Sequence, residues 1–346
     1  MNETNALDEA SLGAALIREV SGFSGLRNIK KFGSGQSNPT YLLTADSGRY
    51  VLRAKPPGQL LKSAHQVDRE FRVMRALAPT SVPVPHMLYL SPEDSVLGRM
   101  FYVMDFVEGR IFWDPALPEA ADNGERSAIY DAMNDTLAKL HSVEPAAVGL
   151  ADFGKPGNYF ERQLGRWTSQ YRASETEPNA EMDALISWLE KSLPPDDGQV
   201  SLVHGDYRLD NMIFAADEPR VIAVLDWELS TLGHPVADLA YQCMQWKLPH
   251  QTAFRGLGGI DRAALGLPSE AEYVANYCKR RGVGPIKNWS FFLAFSFFRL
   301  AAICQGVYKR ALDGNASNPE KAATYQQAVK LLAHLAGDTI SDKDTA

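Results

Sequence analysis

Three polar residues at fixed spacing set the chemistry open to this chain. Asp206, in His204-Gly205-Asp206, is followed five positions later by Asn211, and Asp226 comes at the end of the next apolar run in Val224-Leu225-Asp226-Trp227-Glu228. An Asp that can accept a hydroxyl proton, an Asn five residues on and a second Asp after a strand are the order in which phosphoryl-transfer sites set a base and hard oxygen ligands for Mg2+. Asp206 is therefore the candidate base, and Asn211 and Asp226 are the candidate ligands of Mg2+ on the phosphates of ATP. His204 and Gly205 shape the loop. Each piece alone also reads as a turn or a strand-end cap, so the order of the three carries the inference. Asp210 and Glu228 serve equally well as solvent-facing acids or as support for the metal ligands.

The nucleotide needs its own contacts. Phe32-Gly33-Ser34-Gly35-Gln36-Ser37-Asn38 falls between two expected strands, where small residues let backbone N–H groups approach phosphates. Gly33, Ser34, Gly35, Ser37 and Asn38 are the candidates there, although a hairpin turn without a ligand has the same composition. The stretch is not G-x-x-x-x-G-K-[ST], which excludes a P-loop. Tyr50-Val51-Leu52-Arg53-Ala54-Lys55 offers two cations for the α- and β-phosphates. Arg53 stands where V-A-I-K has its Lys and is preferred to Lys55, with Glu70 as its natural partner; a surface Arg and an ordinary helical Glu are the plain alternative. Met104, Asp105 and Val107, in an apolar run ending at Glu108-Gly109, suit a connector touching adenine, or an edge strand.

Other residues are weaker candidates. Asp152-Phe153-Gly154 spells D-F-G but precedes the catalytic loop, whereas the metal-binding Asp must follow it, so it reads as a turn. Asp238 is either a bond to the catalytic-loop backbone or a helix N-terminal acid. Trp167, Tyr171 and Trp289 could line an acceptor pocket or simply fill a core.

The elements that must position these residues follow from the pattern. With 346 residues and 45 % hydrophobic content, the chain can bury the core of one large domain or of two lobes sharing a cleft. A helix is expected at residues 8–20, strands within 29–45 and at 49–54, a helix at 63–77, and strands at 88–90 and 100–106. Beyond a boundary near 107–110 the pattern turns helical, at 126–142, 159–173, 180–192, 235–245, 269–281, 289–313 and 319–335. Two short strand pairs, around 200–203 with 212–214 and 221–225, interrupt it. The expected organisation is an α+β, two-lobed protein-kinase-like fold: a nucleotide-binding lobe with a small antiparallel sheet over 1–106, then a large helical lobe over 107–346 carrying the catalytic loop and acceptor site. The tail after Gly337 is expected to fray.

Composition narrows the partners. A net charge of -7 without long basic runs excludes a nucleic-acid track. Three widely spaced cysteines fit a reducing cytoplasm, and the first 22 residues lack the basic-then-apolar order of a secretory signal. The apolar run 290–304 is short and contains Arg299, so a core helix is expected and no membrane span. Only eight residues separate Asp226 from Pro235. That leaves no room for the activation segment with which protein kinases hold peptides, so a small-molecule hydroxyl acceptor is expected.

The chain resembles the aminoglycoside phosphotransferase superfamily, and more narrowly the kinase-like domain found in certain eukaryotic acyl-CoA dehydrogenases. The resemblance spans about residues 28–310. It rests on Gly35-Gln36-Ser37-Asn38-Pro39-Thr40-Tyr41, Val51-Leu52-Arg53, Lys55-Pro56-Pro57-Gly58, Ser63-Ala64-His65, Glu70, Val82-Pro83-Val84-Pro85, Met104 with Val107-Glu108-Gly109, Gln163 with Arg166-Trp167, His204 to Arg208, Asn211, Leu225 to Glu228, and Pro235 to Ala240. It implies Asp206 as base, Asn211 and Asp226 as Mg2+ ligands, and Arg53 at the position where the family usually has Lys. The branch implies an acceptor such as a hydroxylated acyl-CoA. Aminoglycosides, other amino alcohols or sugars, and a nucleotide-binding pseudokinase without turnover are the rival readings. A cationic acceptor would need Glu175, Glu177, Glu181 and Asp183 to face the cleft, and solvated helix-end charges are the preferred reading of that cluster.

Overall fold

The computed structural model describes residues 8–33, 38–57, 65–252, 254–314 and 322–341. The chain divides into two compact units: Met1–Arg110 with Asn211–Ser230, and Ile111–Asp210 with Thr231–Ala346. The segment 211–230 thus groups with the strand-rich unit, whereas division at residue 106 counts it with the helices.

In the first unit, α1 (Glu9–Glu19) is capped by Asp8, whose carboxylate accepts the amides of Ala10 and Ser11. Strands β1 (Leu26–Lys31), β2 (Thr40–Ala45), β3 (Gly48–Ala54), β4 (Met87–Leu90) and β5 (Phe101–Asp105) form an antiparallel sheet in the order β1-β2-β3-β5-β4. One face buries Leu43, Leu52, Phe101 and Val103 against Leu12, Leu16 and Phe23, and at the centre the other face is covered too, with Val51, Tyr102 and Met104 buried. Helix α2 (Val67–Leu77) buries Val67, Phe71, Met74 and Leu77, an apolar stripe at helical spacing. It starts at Val67, later than expected, because His65 has φ 60 and cannot continue a right-handed helix. The hairpin of β7 (Met212–Phe214) and β8 (Val221–Val224) belongs to this unit through backbone bonds: Arg110 and Phe214 exchange two at 2.8 Å, and Val224 N–H donates to Pro83 O at 2.9 Å. Gly109 fits this junction because a Cβ there would lie 2.2 Å from Phe214 O.

The second unit comprises helices α3 (Asn123–Ser142), α4 (Tyr159–Ser174), α5 (Ala180–Lys191), α6 (Val236–Lys247), α7 (Glu270–Arg281), α8 (Trp289–Leu312) and α9 (Ala322–Ser341). It also holds β6 (Ser201–Val203), paired antiparallel with β9 (Thr231–Gly233), a partner the sequence pattern does not reveal. Helix α8 is the one helix among the described residues long and apolar enough to cross a membrane; most of it is buried inside the unit, where it packs on α4, α5, α6 and α9. Phe153 of the D-F-G triplet is buried, and a Cβ on Gly154 would lie 2.7 Å from Leu232 N, so the triplet is a turn pressed on β9. The expected fraying after Gly337 is corrected for residues 338–341, and residues 342–346 lie outside the described residues. Helix α9 continues to Ser341, with Ala336 buried and the hydroxyls of Thr339 and Ser341 bonding back to the carbonyls of Leu335 and Gly337. Cys243, Cys278 and Cys304 are buried free thiols.

Candidate active site

The first unit assembles the nucleotide-side residues around one buried charge. Glu70 faces inward from α2 and is fully buried. Arg53, from β3, sets its Nε 2.9 Å from Glu70 Oε2, and its Nη2 donates to Asp226 Oδ1 at 2.7 Å and lies 3.6 Å from Glu228 Oε2. Asn38 Nδ2 donates to Glu70 Oε1 at 2.9 Å, and the Tyr102 hydroxyl donates to Oε2 at 3.2 Å. His65 Nδ1 lies 2.9 Å from Asn38 Oδ1. Burial pushes the Glu70 carboxyl up to about 7 against the pull of Arg53. Burial also opposes the charge on Arg53, but attraction to Glu70 and Asp226 outweighs it, so the guanidinium stays cationic. Lys55 pairs with Glu93 instead. Within β3, then, Arg53 is the cation joined to Glu70.

Asp226 has φ 63 and ψ 60, a left-handed conformation costly for a non-glycine residue and held here by its neighbours. Trp227 is buried behind it and donates to Val224 O at 2.9 Å. Asn211 opens the same hairpin, its carbonyl accepting the Leu225 amide at 2.8 Å, which sets it across the base of the hairpin from Asp226. One amide oxygen and one carboxylate oxygen are hard donors of the kind Mg2+ takes, with phosphates and water completing the octahedron. Among the described residues no group of three His, Cys, Asp or Glu could hold a metal by itself.

The remaining nucleotide candidates are spread along the unit. Gly33 is exposed at a bend and Asn38 is buried, while Ser34, Gly35 and Ser37 lie outside the described residues. Strand β5 lies between β3 and β4, which excludes the edge-strand alternative. Met104 in it is buried, Asp105 sets Oδ2 3.3 Å from His86 Nδ1, and Val107 is half-buried just past the strand.

The second unit holds Asp206 on the loop after β6. The Tyr241 hydroxyl donates to Asp206 Oδ1 at 2.9 Å, and Arg208 Nε lies 3.4 Å from the same oxygen. Asp238, buried at the start of α6, is the acceptor that fixes this loop: it takes the amides of His204 at 2.7 Å and Gly205 at 2.8 Å. His141 Nε2 lies 3.2 Å from Asp238, and His141 Nδ1 lies 2.7 Å from the Tyr277 hydroxyl. With Asp238 an anion, the neutral imidazole carries its proton on Nε2 and accepts from Tyr277 at Nδ1. Burial alone would raise Asp238, yet the bonds from His141 and the loop amide hold it below its ordinary value. Burial holds His141 below its ordinary value in turn.

Tyr102, Tyr241, His141 and Tyr277 make contacts with or beside the candidate residues that the sequence reading omits. Each sits in an ordinary apolar helix or strand, and no local motif marks it. Of the three aromatic candidates, Tyr171 is buried, Trp289 donates to Glu270, and Trp167 donates to Gln163 and lies against Arg166 and Arg299. The acidic cluster is paired on its own surface: Glu175 and Asp183 with Arg172, Glu177 with Lys330, and Glu181 with His334.

Comparison with known proteins places the family and the fold. Mouse (Mus musculus) acyl-CoA dehydrogenase family member 10 is 49 % identical over 319 residues, covering 91 % of this chain but 29 % of that protein. Rat (Rattus norvegicus) family member 11 is 44 % identical over 322 residues, covering 92 % of this chain and 41 % of that protein. The chain thus spans less than half the length of these relatives. A crystal structure from Ralstonia eutropha, provisionally named an aminoglycoside phosphotransferase, is 48 % identical with a TM-score of 0.87 over 97 % of this chain and 98 % of that one. Spectinomycin phosphotransferase, solved with ADP and its antibiotic, shares the fold alone, at 12 % identity and a TM-score of 0.61 over 95 % of this chain and 98 % of that one. Residues 28–273 match APH, the phosphotransferase enzyme family, whose kinase-like fold is the one expected from the sequence. By that match and these identities, the chain belongs to the phosphotransferase enzyme family.

Proposed function

We propose that the protein is a small-molecule kinase that transfers the γ-phosphoryl group of ATP, with Mg2+, to a hydroxyl of a small metabolite, of which a hydroxyacyl-CoA is the preferred class. The observation that carries this reading is the network joining Arg53 to buried Glu70 and to Asp226: three segments far apart in sequence converge to offer a fixed cation beside a strained, part-exposed carboxylate. The acyl-CoA dehydrogenase names of the relatives support the acceptor class. The three buried free thiols support a reducing, cytoplasmic setting.

In this mechanism Arg53, steadied by Glu70, grips the α- and β-phosphates, and Asn211 and Asp226 are the residues that would hold Mg2+. The cation supplies charge neutralisation on the phosphate oxygens. Asp206, oriented by Tyr241 and by a loop pinned to Asp238, takes the acceptor's proton. The acceptor oxygen bonds to the γ-phosphorus as the bond to the β–γ bridging oxygen breaks, releasing ADP.

The test incubates the chain with Mg-ATP and hydroxyacyl-CoAs, free hydroxy acids, amino alcohols and aminoglycosides, and reads phosphorylated products by mass spectrometry. A product that drops by about 10²- to 10⁴-fold in Asp206→Ala supports the proposal. Nucleotide binding without product across the whole panel would favour a non-catalytic nucleotide-binding protein.

A further inference from the structure

The second unit buries a cation for which the mechanism above has no use. Arg299, in the middle of α8, is 7 % exposed. Its guanidinium carbon lies 5.8 Å from the Trp167 ring on α4 and 5.5 Å from the Tyr241 ring on α6. Among the described residues no carboxylate pairs with Arg299 and no acceptor takes its N–H groups, yet none of those nitrogens is sealed from water, so the tip of the side chain still reaches solvent. The neighbourhood adds positive charge: Arg166 lies 5.3 Å from the same Trp167 ring, again without a carboxylate among the described residues. Burying most of an arginine side chain without a counter-charge is costly, and contacts with two aromatic faces return part of that cost. In a chain carrying a net charge of -7, a nearby acid would have been the simple remedy.

The location says what the charge is for. Tyr241, one of the two rings against Arg299, is the residue whose hydroxyl bonds the candidate base Asp206 at 2.9 Å. A cation one aromatic ring away from the base, with its tip open to solvent, is close enough to meet a charged group on an acceptor whose hydroxyl reaches Asp206. The planar guanidinium fork matches a carboxylate or a phosphate oxyanion, and it repels the ammonium groups of amino alcohols and aminoglycosides.

We propose that Arg299, framed by Trp167 and Tyr241, is the subsite that holds an anionic group of the acceptor, so that the enzyme selects anionic hydroxy compounds and rejects cationic ones. This specificity assignment rests on the phosphotransferase reading above, but the anion subsite can be measured without turnover.

Two experiments test it. In protein labelled with 15N-tryptophan, the Trp167 indole N–H, assigned through Trp167→Phe, is followed while sodium butyrate or methyl phosphate is added. A saturable shift that vanishes in Arg299→Gln and weakens in Arg299→Lys supports the subsite. A response to butyrate alone identifies a carboxylate group, and a response to methyl phosphate alone a phosphate. An indole silent to both anions in the folded wild-type protein, or a shift unchanged in Arg299→Gln, overturns it. In the transfer assay, Arg299→Gln should raise KM for anionic acceptors by about 10- to 100-fold while sparing kcat, with partial rescue by Arg299→Lys. Equal losses with neutral hydroxy esters would show that Arg299 only props Tyr241, and would refute the assignment. Wild-type protein whose indole shifts but which forms no product would sink the kinase reading and leave the anion subsite standing.

Discussion

Asp238 offers a sharp test of how the catalytic loop is built. Its carboxylate is buried and accepts two backbone amides, from His204 and Gly205, with His141 Nε2 at 3.2 Å. Asp238→Ala strands both amides away from water. Each buried donor left without a partner costs about 1–3 kcal/mol, so the loss should be roughly 2–6 kcal/mol. That is a large share of the roughly 5–15 kcal/mol that keeps a typical domain folded. Asp238→Asn keeps one oxygen for one amide and turns an NH2 toward the other, so about half the loss is expected. Urea unfolding followed by tryptophan fluorescence gives the stability, and hydrogen exchange at the His204 and Gly205 amides locates the change. Because Asp238 titrates below its ordinary 3.8, its contribution is fully present above that value. It is lost only as pH falls through the lower folded value, so the variant's deficit should be constant across neutral pH. An Asp238→Ala protein within about 0.5 kcal/mol of wild type, with unchanged exchange at both amides, would refute the view that this carboxylate holds the loop.

Two further expectations concern the buried charges. Arg53→Met removes the cation beside buried Glu70 and should destabilise the protein by about 3–5 kcal/mol, besides weakening ATP binding measured by calorimetry. Glu70 already titrates near 7 instead of its ordinary 4.5. A further rise means stability is lost as pH climbs from 4.5 through the folded value, so the deficit should be larger at pH 8 than at pH 6; equal deficits would argue against an uncompensated carboxylate. His141 titrates below its ordinary 6.5, so the unfolded chain takes up a proton first, and stability should fall as pH drops below 6.5. The slope from this residue is at most about 1.4 kcal/mol per pH unit, and denaturation curves of His141→Gln should lack that share of it.

What could be read from the sequence is the chemistry whose spacing local geometry dictates. The loop of Asp206 and the hairpin that joins Asn211 to Asp226 span twenty-one residues, short enough for order alone to imply their roles. The sheet of the first unit and the long helices of the second follow from periods of 2 and 3.6. Strand β9 escapes notice because Thr231-Leu232-Gly233 has a single large apolar residue where the equally short β6 and β7 have apolar runs, and the end of α9 because Thr and Ser hydroxyls that look like loop composition can bond back to the helix. Residues joined across long separations stay hidden for a different reason. Nothing near His141 in the chain announces Asp238, and nothing near Tyr241 announces Asp206, since each contact is made by packing helices whose faces are otherwise apolar. Arg299 shows the limit best. In the run from Ser290 to Cys304 it reads only as an interruption that argues against a membrane span. Folded, that interruption lies in the middle of a largely buried helix, between the Tyr241 ring and the Trp167 ring. A mostly buried charge with its tip open to solvent and no carboxylate beside it is suited to meet an anion, which is why an interruption in an apolar helix bears on the proposed acceptor.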